Sequence, residues 1–208
     1  MRKIMAVLPF VFVLVLMAGC AKPPQDSITA ATSALDAAKP MAQEYAPSAL
    51  QAAEDAKAAL DAELKAQQDK FALFRSYKKT DELVSDLKAK ADKAAADAAA
   101  GKAQAKTDAT TAINDATTAV NDAKAMLEKA PKGKGTQADL EAMKADLTAA
   151  ESTINDANAA MAGEKFKDAK TKADSAKQSA SSVVSQIQAA MEAKKTAAKP
   201  AAHAGHKK

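Results

Sequence analysis

The sequence predicts an all-α protein of elongated antiparallel helical hairpins, a coiled-coil-like bundle with alanine-rich seams. Apolar residues make up 48% of the 208-residue chain, yet aromatic residues make up only 3% and tryptophan is absent. Alanine supplies much of this apolar content; it is the strongest helix former and buries little surface. Apolar residues also recur every three or four positions, which is the spacing of a helix face that packs on another helix. Such a face is called a seam below.

The first element, residues 1–19, has the pattern of a signal peptide. Arg2 and Lys3 precede an apolar run, Ile4–Met17, that is too short to span a membrane. The small residues Ala18–Gly19 close the run and suit an extended conformation in a peptidase cleft.

Cys20, directly after this segment, is the only cysteine and therefore has no disulfide partner within the chain. The segment Leu16–Cys20 resembles the lipobox of bacterial lipoproteins, although Met17 stands where that pattern usually has leucine. The resemblance implies that Cys20 becomes the first residue of the mature protein and carries acyl chains such as palmitate. The alternative is an ordinary cleaved signal followed by an incidental cysteine.

Residues 20–25 are predicted to be a tether and residues 26–130 a helical region. Asp26 or Ser27 is expected to cap the first helix, Pro40 to weaken or kink its end, and Pro47 to start the next. The predicted seam positions of this region are Ile28, Ala31, Leu35, Ala38, Ala42, Leu50, Ala53, Ala56, Leu60, Leu64, Gln67, Phe71, Phe74, Tyr77, Val84, Leu87, Ala91, Ala94, Ala98, Ile113, Ala116, Val120, Ala123, Leu127 and Ala130.

The heptad spacing slips at 75–80, which indicates either a stammer in one helix or a turn between two. A turn just before Tyr77 is favoured, because the segments 50–77 and 140–166 both read as an amphipathic helix leading to an aromatic residue and a lysine. Phe71 and Phe74 occupy seam positions and are expected to pack in the core. A ligand-stacking patch is the alternative.

Between Leu87 and Ile113 every apolar residue is alanine, so this tract has high helix propensity but no large side chains to bury. It is therefore expected to open before the other helices, unless it packs on a surface that the sequence does not reveal.

The break at residues 131–136 predicts a hinge, with Thr136 capping the next helix. Residues 137–193 follow as a helical hairpin that turns at Gly163, and residues 194–208 as a disordered basic tail. The predicted seam positions of the hairpin are Leu140, Met143, Leu147, Ala150, Ile154, Ala157, Met161, Phe166, Ala169, Ala173, Ala176, Ala180, Val183, Ile187 and Ala190.

The motif Tyr45-Ala46-Pro47-x-x-Leu50, followed by alanine-spaced helix and an aromatic-lysine step, resembles an uncharacterised family of alanine-rich bacterial envelope lipoproteins. The resemblance covers roughly residues 26–100 and implies placement and architecture without an activity. The alanine seams and lysine-rich end also look like the much shorter murein lipoprotein.

Catalysis is not expected from these residues. His203 and His206 are the only histidines, and both lie in the predicted tail, where no triad can be held and where two imidazoles fall short of a zinc site. The sequence therefore predicts no enzyme, cofactor or metal. It also predicts no binding to nucleic acid, since the net charge is only +4.

The expected function is that of a lipid-anchored helical spacer or scaffold in the bacterial envelope. Ala21 after the cysteine implies, by family analogy, a periplasm-facing position on the outer membrane. Expected partners are the membrane through Cys20, further copies of the chain or an envelope protein, and an anionic envelope polymer through the terminal lysines. These lysines are Lys194, Lys195, Lys199, Lys207 and Lys208. A binding module for a protein or amphiphile, or a stress protectant, are the alternatives.

Overall fold

The computed structural model describes residues 22–130 and 137–197, and within these ranges it is all-α, as predicted. The signal peptide, Cys20 and the hinge at 131–136 lie outside the described residues. The helices are α1 (Gln25–Tyr45), α2 (Pro47–Gln68), α3 (Lys78–Lys129), α4 (Gln137–Ala162) and α5 (Phe166–Ala197), with one 3₁₀ turn at Ala72–Phe74.

The chain divides into two units between Gly101 and Lys102. Unit 1 contains α1, α2 and the first part of α3, and unit 2 contains the rest of α3 with α4 and α5. The boundary thus falls inside the region predicted as one helical segment, 26–130. A single helix supplies both units because no residue of α3 breaks it, Gly101 included.

The core of unit 1 is formed by the predicted seams of its three helices. Its buried cluster is Ala31, Leu35, Ala42, Leu50, Ala53, Ala56, Leu60, Val84, Leu87, Ala91, Ala94 and Ala98. All five alanines that α1 and α3 contribute to this set are, like Leu87, 0% exposed. The part of the alanine tract in unit 1 therefore does have a surface to pack on, namely α1 and α2 of its own chain.

The prediction that Asp26 or Ser27 caps α1 is wrong. The helix begins at Gln25, Pro24 takes the capping position without a side-chain hydrogen bond, and the Pro24 carbonyl accepts from the Ile28 N–H at 3.0 Å. Asp26 therefore lies within the first turn, where its charge favours the positive helix end. Pro40 lies inside α1, which continues to Tyr45, and Pro47 starts α2 as predicted.

The core of unit 2 joins the second part of α3 to the hairpin of α4 and α5. The larger buried side chains of its main cluster are Ile113, Val120, Met143, Leu147, Ile154, Val183 and Ile187. A smaller cluster places Phe166 with Ala109, Ala160 and Ala169. The hairpin at 137–193 is thus confirmed, but it also packs against residues that the sequence assigned to the preceding region.

The turn begins at Gly163 as predicted, whereas the prediction that the basic tail begins at residue 194 needs correction. Helix α4 ends at Ala162, and the left-handed residue of the turn is Glu164, with φ of 57°. Carbonyls of the last turn of α4 accept from the N–H groups at 163–165, which closes the helix end. At the other end, α5 continues to Ala197 and takes in Lys194 and Lys195, whose charges favour a helix C-terminus.

Candidate functional site

The predicted acylation site, Cys20, lies outside the described residues. The described chain begins with Lys22, Pro23 and Pro24, which lead directly into α1. The predicted tether, 20–25, is therefore shortened at its end because Gln25 is already helical.

Residues 69–77 form the connection between α2 and α3, which contains the 3₁₀ turn and which we call the aromatic loop. The predicted turn before Tyr77 is confirmed, but it begins earlier than the slip in spacing indicated, because α2 ends at Gln68. Phe71 and Phe74 are consequently not on a helix seam. The prediction that they pack in the core is wrong: they are 69% and 75% exposed.

Leu73, which no seam predicted, is also 75% exposed, and with the two phenylalanines it forms an apolar patch on the loop. The two rings lie 6.4 Å apart with their planes tilted by 51°. The N–H of Phe74 donates to the carbonyl of Phe71 at 2.8 Å, which closes the short 3₁₀ turn between them.

Arg75 holds this loop through its guanidinium. Its Nε donates to the Lys70 carbonyl at 3.0 Å and its Nη2 donates to the Gln68 carbonyl at 2.9 Å. The Gln68 carbonyl belongs to the last turn of α2, where helix carbonyls lack backbone partners, and the Lys70 carbonyl lies two residues beyond it. The side chain of Arg75 therefore fixes the loop against the helix that precedes it.

Gln67 holds the loop from the inside. It is 4% exposed, its Nε2 donates to Glu63 Oε1 at 2.6 Å, and its Oε1 accepts from the Ser76 N–H at 3.0 Å. Donation from the Gln67 amide, with a further contribution from Lys79, lowers the pKa of the Glu63 carboxyl. Lys79 Nζ lies 2.9 Å from Glu63 Oε2, which ties the first turn of α3 to the last turns of α2.

Sequence reasoning placed Gln67 on the seam but did not recognise it as the support of the loop. The signal was present, since a glutamine at a seam position must find partners for its buried amide. Arg75 and Leu73 carried no periodic signal, because neither lies on a helix face.

The other aromatic residues do not join this patch. Tyr77 is buried immediately before α3, and Phe166 is buried at the start of α5, in agreement with the internal repeat that predicted both positions. Lys102 Nζ lies 5.9 Å from the centre of the Phe166 ring and 2.7 Å from Glu164 Oε2. Tyr45 lies at the end of α1 beside Gly101, which is the end of unit 1 away from the aromatic loop.

Unit 2 contains an open cleft of about 480 Å³ between the end of α3 and the start of α4. Its apolar lining comes from Leu127, Leu140 and Leu147, and two lysines and two glutamates border it: Lys124, Lys144, Glu128 and Glu141. The combination suits a ligand with an apolar body and a polar end.

Within residues 22–130 and 137–197, no three side chains of the metal-binding types come close enough to hold a metal ion. His203 and His206, like Lys199, Lys207 and Lys208, lie outside these ranges. In the same described part, no helix is both long and apolar enough to cross a membrane.

Comparison with known proteins found no matching family model, no similar curated protein and no similar solved structure.

Proposed function

We propose that this protein is a lipid-anchored, non-enzymatic component of the bacterial cell envelope that acts as a helical spacer or scaffold. The observation that carries the proposal is the segment Leu16–Cys20, a small-residue site ending in the only cysteine, set directly before a helical body. Cleavage before Cys20 would place an acylated residue within a few positions of α1.

The body described by the structure suits a scaffold because its surface is polar and its helices are packed along their seams. Exposed Lys–Asp and Lys–Glu pairs line the helices, for example Lys88 with Asp92 and Lys170 with Asp174. Each such pair contributes little to stability but keeps the surface hydrated. The acyl chains, at about 0.8 kcal/mol per buried CH₂, then supply the membrane affinity.

The outer membrane is the proposed destination, with the body facing the periplasm, because Ala21 follows the cysteine where an aspartate commonly retains lipoproteins in the inner membrane. Fractionation of the two membranes tests this placement. Recovery in the inner membrane would contradict it.

The test of the anchor is Cys20→Ser in the full chain, expressed in a bacterium supplied with labelled palmitate. The wild type should incorporate the label and remain with membranes, whereas Cys20→Ser should lose the label. Ser27→Ala, a change of an exposed residue in the first turn of α1, is the matched control and should behave as the wild type. Incorporation of label by Cys20→Ser would contradict the proposed attachment site.

A binding module for an amphiphile is the second candidate, and the cleft between α3 and α4 favours it. A fluorescent fatty acid should bind the wild type, and Leu140→Ser should weaken that binding. Leu140 is half-buried at the cleft, so the change alters its lining without opening the centre of the core. Equal binding by Leu140→Ser would remove the cleft from consideration.

A further inference from the structure

The apolar patch Phe71, Leu73 and Phe74 is the largest group of neighbouring exposed apolar side chains in the described residues. The other large apolar side chains that are exposed there, Met41 and Met191, lie singly on helices and are 36% and 44% exposed. Contiguous exposed apolar residues mark interaction sites more often than single ones do.

The patch lies at the end of unit 1 where the described chain begins. Lys39 of α1 pairs with Glu54 of α2 at 2.6 Å, and the two helices are antiparallel because the short connection at Ala46 joins them. Gln25 lies 14 residues before Lys39, and Gln68 lies 14 residues after Glu54, so Gln25 and Gln68 stand opposite each other in the antiparallel pair. The aromatic loop therefore leaves α2 at the level of the first turn of α1.

This placement brings the patch close to the proposed anchor. Two peptide units separate Cys20 from Lys22, and two residues extend at most about 7 Å. The acyl chains of Cys20 and the side chains of Phe71, Leu73 and Phe74 would therefore meet the same membrane surface.

The charge around the patch fits an anionic lipid surface. Four basic residues, Lys70, Arg75, Lys78 and Lys79, lie within residues 69–79, against Asp69 there and Glu63 of α2, which pairs with Lys79. Segments that bind at a membrane surface typically combine apolar side chains with flanking lysine and arginine residues. Each basic residue near an anionic bilayer strengthens binding about fivefold.

A second copy of the chain is a poorer occupant of the same patch. A fully covered aromatic side chain buries about 150–250 Å². Because Phe71, Leu73 and Phe74 are only 69–75% exposed, they supply at most roughly 550 Å² together, even with leucine counted at the aromatic value. A stable protein–protein interface needs about 800 Å² from each partner. The patch is large enough to insert into a bilayer and too small to hold a dimer by itself.

We infer that the aromatic loop is a second membrane contact: Phe71, Leu73 and Phe74 insert into the anionic phospholipid surface that holds the acyl chains. This inference rests on the proposed lipid anchor. The loop is held to α2 by Arg75 and Gln67, so its insertion fixes the orientation of unit 1 at the membrane. Attachment through Cys20 alone would leave that orientation free.

The absence of tryptophan from the sequence allows a direct test. Phe74→Trp introduces the only indole of the chain at the patch, and Met41→Trp is the matched control. Met41 is also exposed and lies 16 residues along α1 from Gln25, about 24 Å away at 1.5 Å per residue. Both variants are purified from membranes and reconstituted in phosphatidylethanolamine–phosphatidylglycerol vesicles with brominated acyl chains.

We expect the indole emission of Phe74→Trp to shift to shorter wavelength and to be quenched at least twofold, and that of Met41→Trp to remain unquenched. Equal, weak quenching of both variants would overturn the inference. So would self-association of the wild type that is lost in Phe71→Ser/Leu73→Ser/Phe74→Ser, because a second copy would then be the occupant.

The mass of the purified protein reports acylation separately. An acylated protein with an unquenched Phe74→Trp indole refutes insertion and leaves the anchor standing. A protein without acyl chains whose Phe74→Trp indole is still quenched on mixing with the vesicles refutes the anchor and supports insertion.

Discussion

The close approach of α1 to α3 at Gly101 predicts that Gly101→Ala destabilises the protein, although alanine is the better helix former. Gly101 lies inside α3, where glycine costs up to about 1 kcal/mol relative to alanine. If propensity alone decided the outcome, Gly101→Ala would raise the free energy of unfolding by about that amount.

The geometry opposes this gain. A Cβ atom on Gly101 would lie 2.7 Å from the Tyr45 carbonyl oxygen, 3.2 Å from the Tyr45 Cβ and 3.4 Å from its carbonyl carbon. All three belong to the end of α1 close to its backbone, so no rotation of a side chain relieves the contact. Inserting a methyl group into a filled space costs about 1–3 kcal/mol. After the propensity gain is subtracted, we expect a net loss of about 1 kcal/mol.

Urea unfolding of the chain from residue 20 with Cys20→Ser, followed by far-UV circular dichroism, measures this difference. Ala99→Gly, at an exposed position of the same helix, is the matched control and should cost about 1 kcal/mol through propensity alone. A Gly101→Ala protein that is more stable than the parent by about 1 kcal/mol would refute the close approach of α1 and α3.

Three further predictions use the same unfolding measurement. Thr80→Val should raise stability by about 1 kcal/mol, because the fully buried Thr80 hydroxyl has no hydrogen-bond partner; a loss of that size would show that the hydroxyl is satisfied. Ala98→Leu should lower the free energy of unfolding by about 1–3 kcal/mol, since Ala98 has no exposed surface. Ala99→Leu, on the exposed face of the same helix, should change it little. Equal effects of the two changes would contradict the packing of the alanine tract. Glu63→Gln should reduce the loss of stability on acidification. Because the folded protein lowers the pKa of Glu63, ionised Glu63 stabilises the fold at pH values above 4.5, the pKa in the unfolded chain. This contribution is lost as the pH falls through the lower pKa of the folded state. An unchanged pH profile in Glu63→Gln would contradict that assignment.

The helices and their buried faces were largely predictable because an α-helix has a fixed period. From Ile28 to Gln67, every predicted seam position is buried or half-buried, and the same holds from Tyr77 to Ala98. The seam of the hairpin, from Leu140 to Ala190, follows the same rule. Periodicity is a local property, so the sequence reports it directly.

The loop was not predictable from that period. Phe71 and Phe74 continue the spacing of α2 by three and four residues, so the pattern alone extends the seam through them. Two kinds of hydrogen bond decide otherwise: Arg75 donates to the Gln68 and Lys70 carbonyls at the end of α2, and the Ser76 N–H donates to the Gln67 side chain. Such partners depend on how the chain folds back.

The sequence by itself determined that this chain is helical, which apolar residues of its helices face the core and where its single cysteine stands. Only the tertiary structure decided which seams meet. Alanine seams are alike in composition, so nothing local distinguishes a tract without partners from one that packs on two helices. The burial of Ala91, Ala94 and Ala98 against α1 and α2, and the division of α3 between two units at Gly101, follow from contacts between residues far apart in the chain.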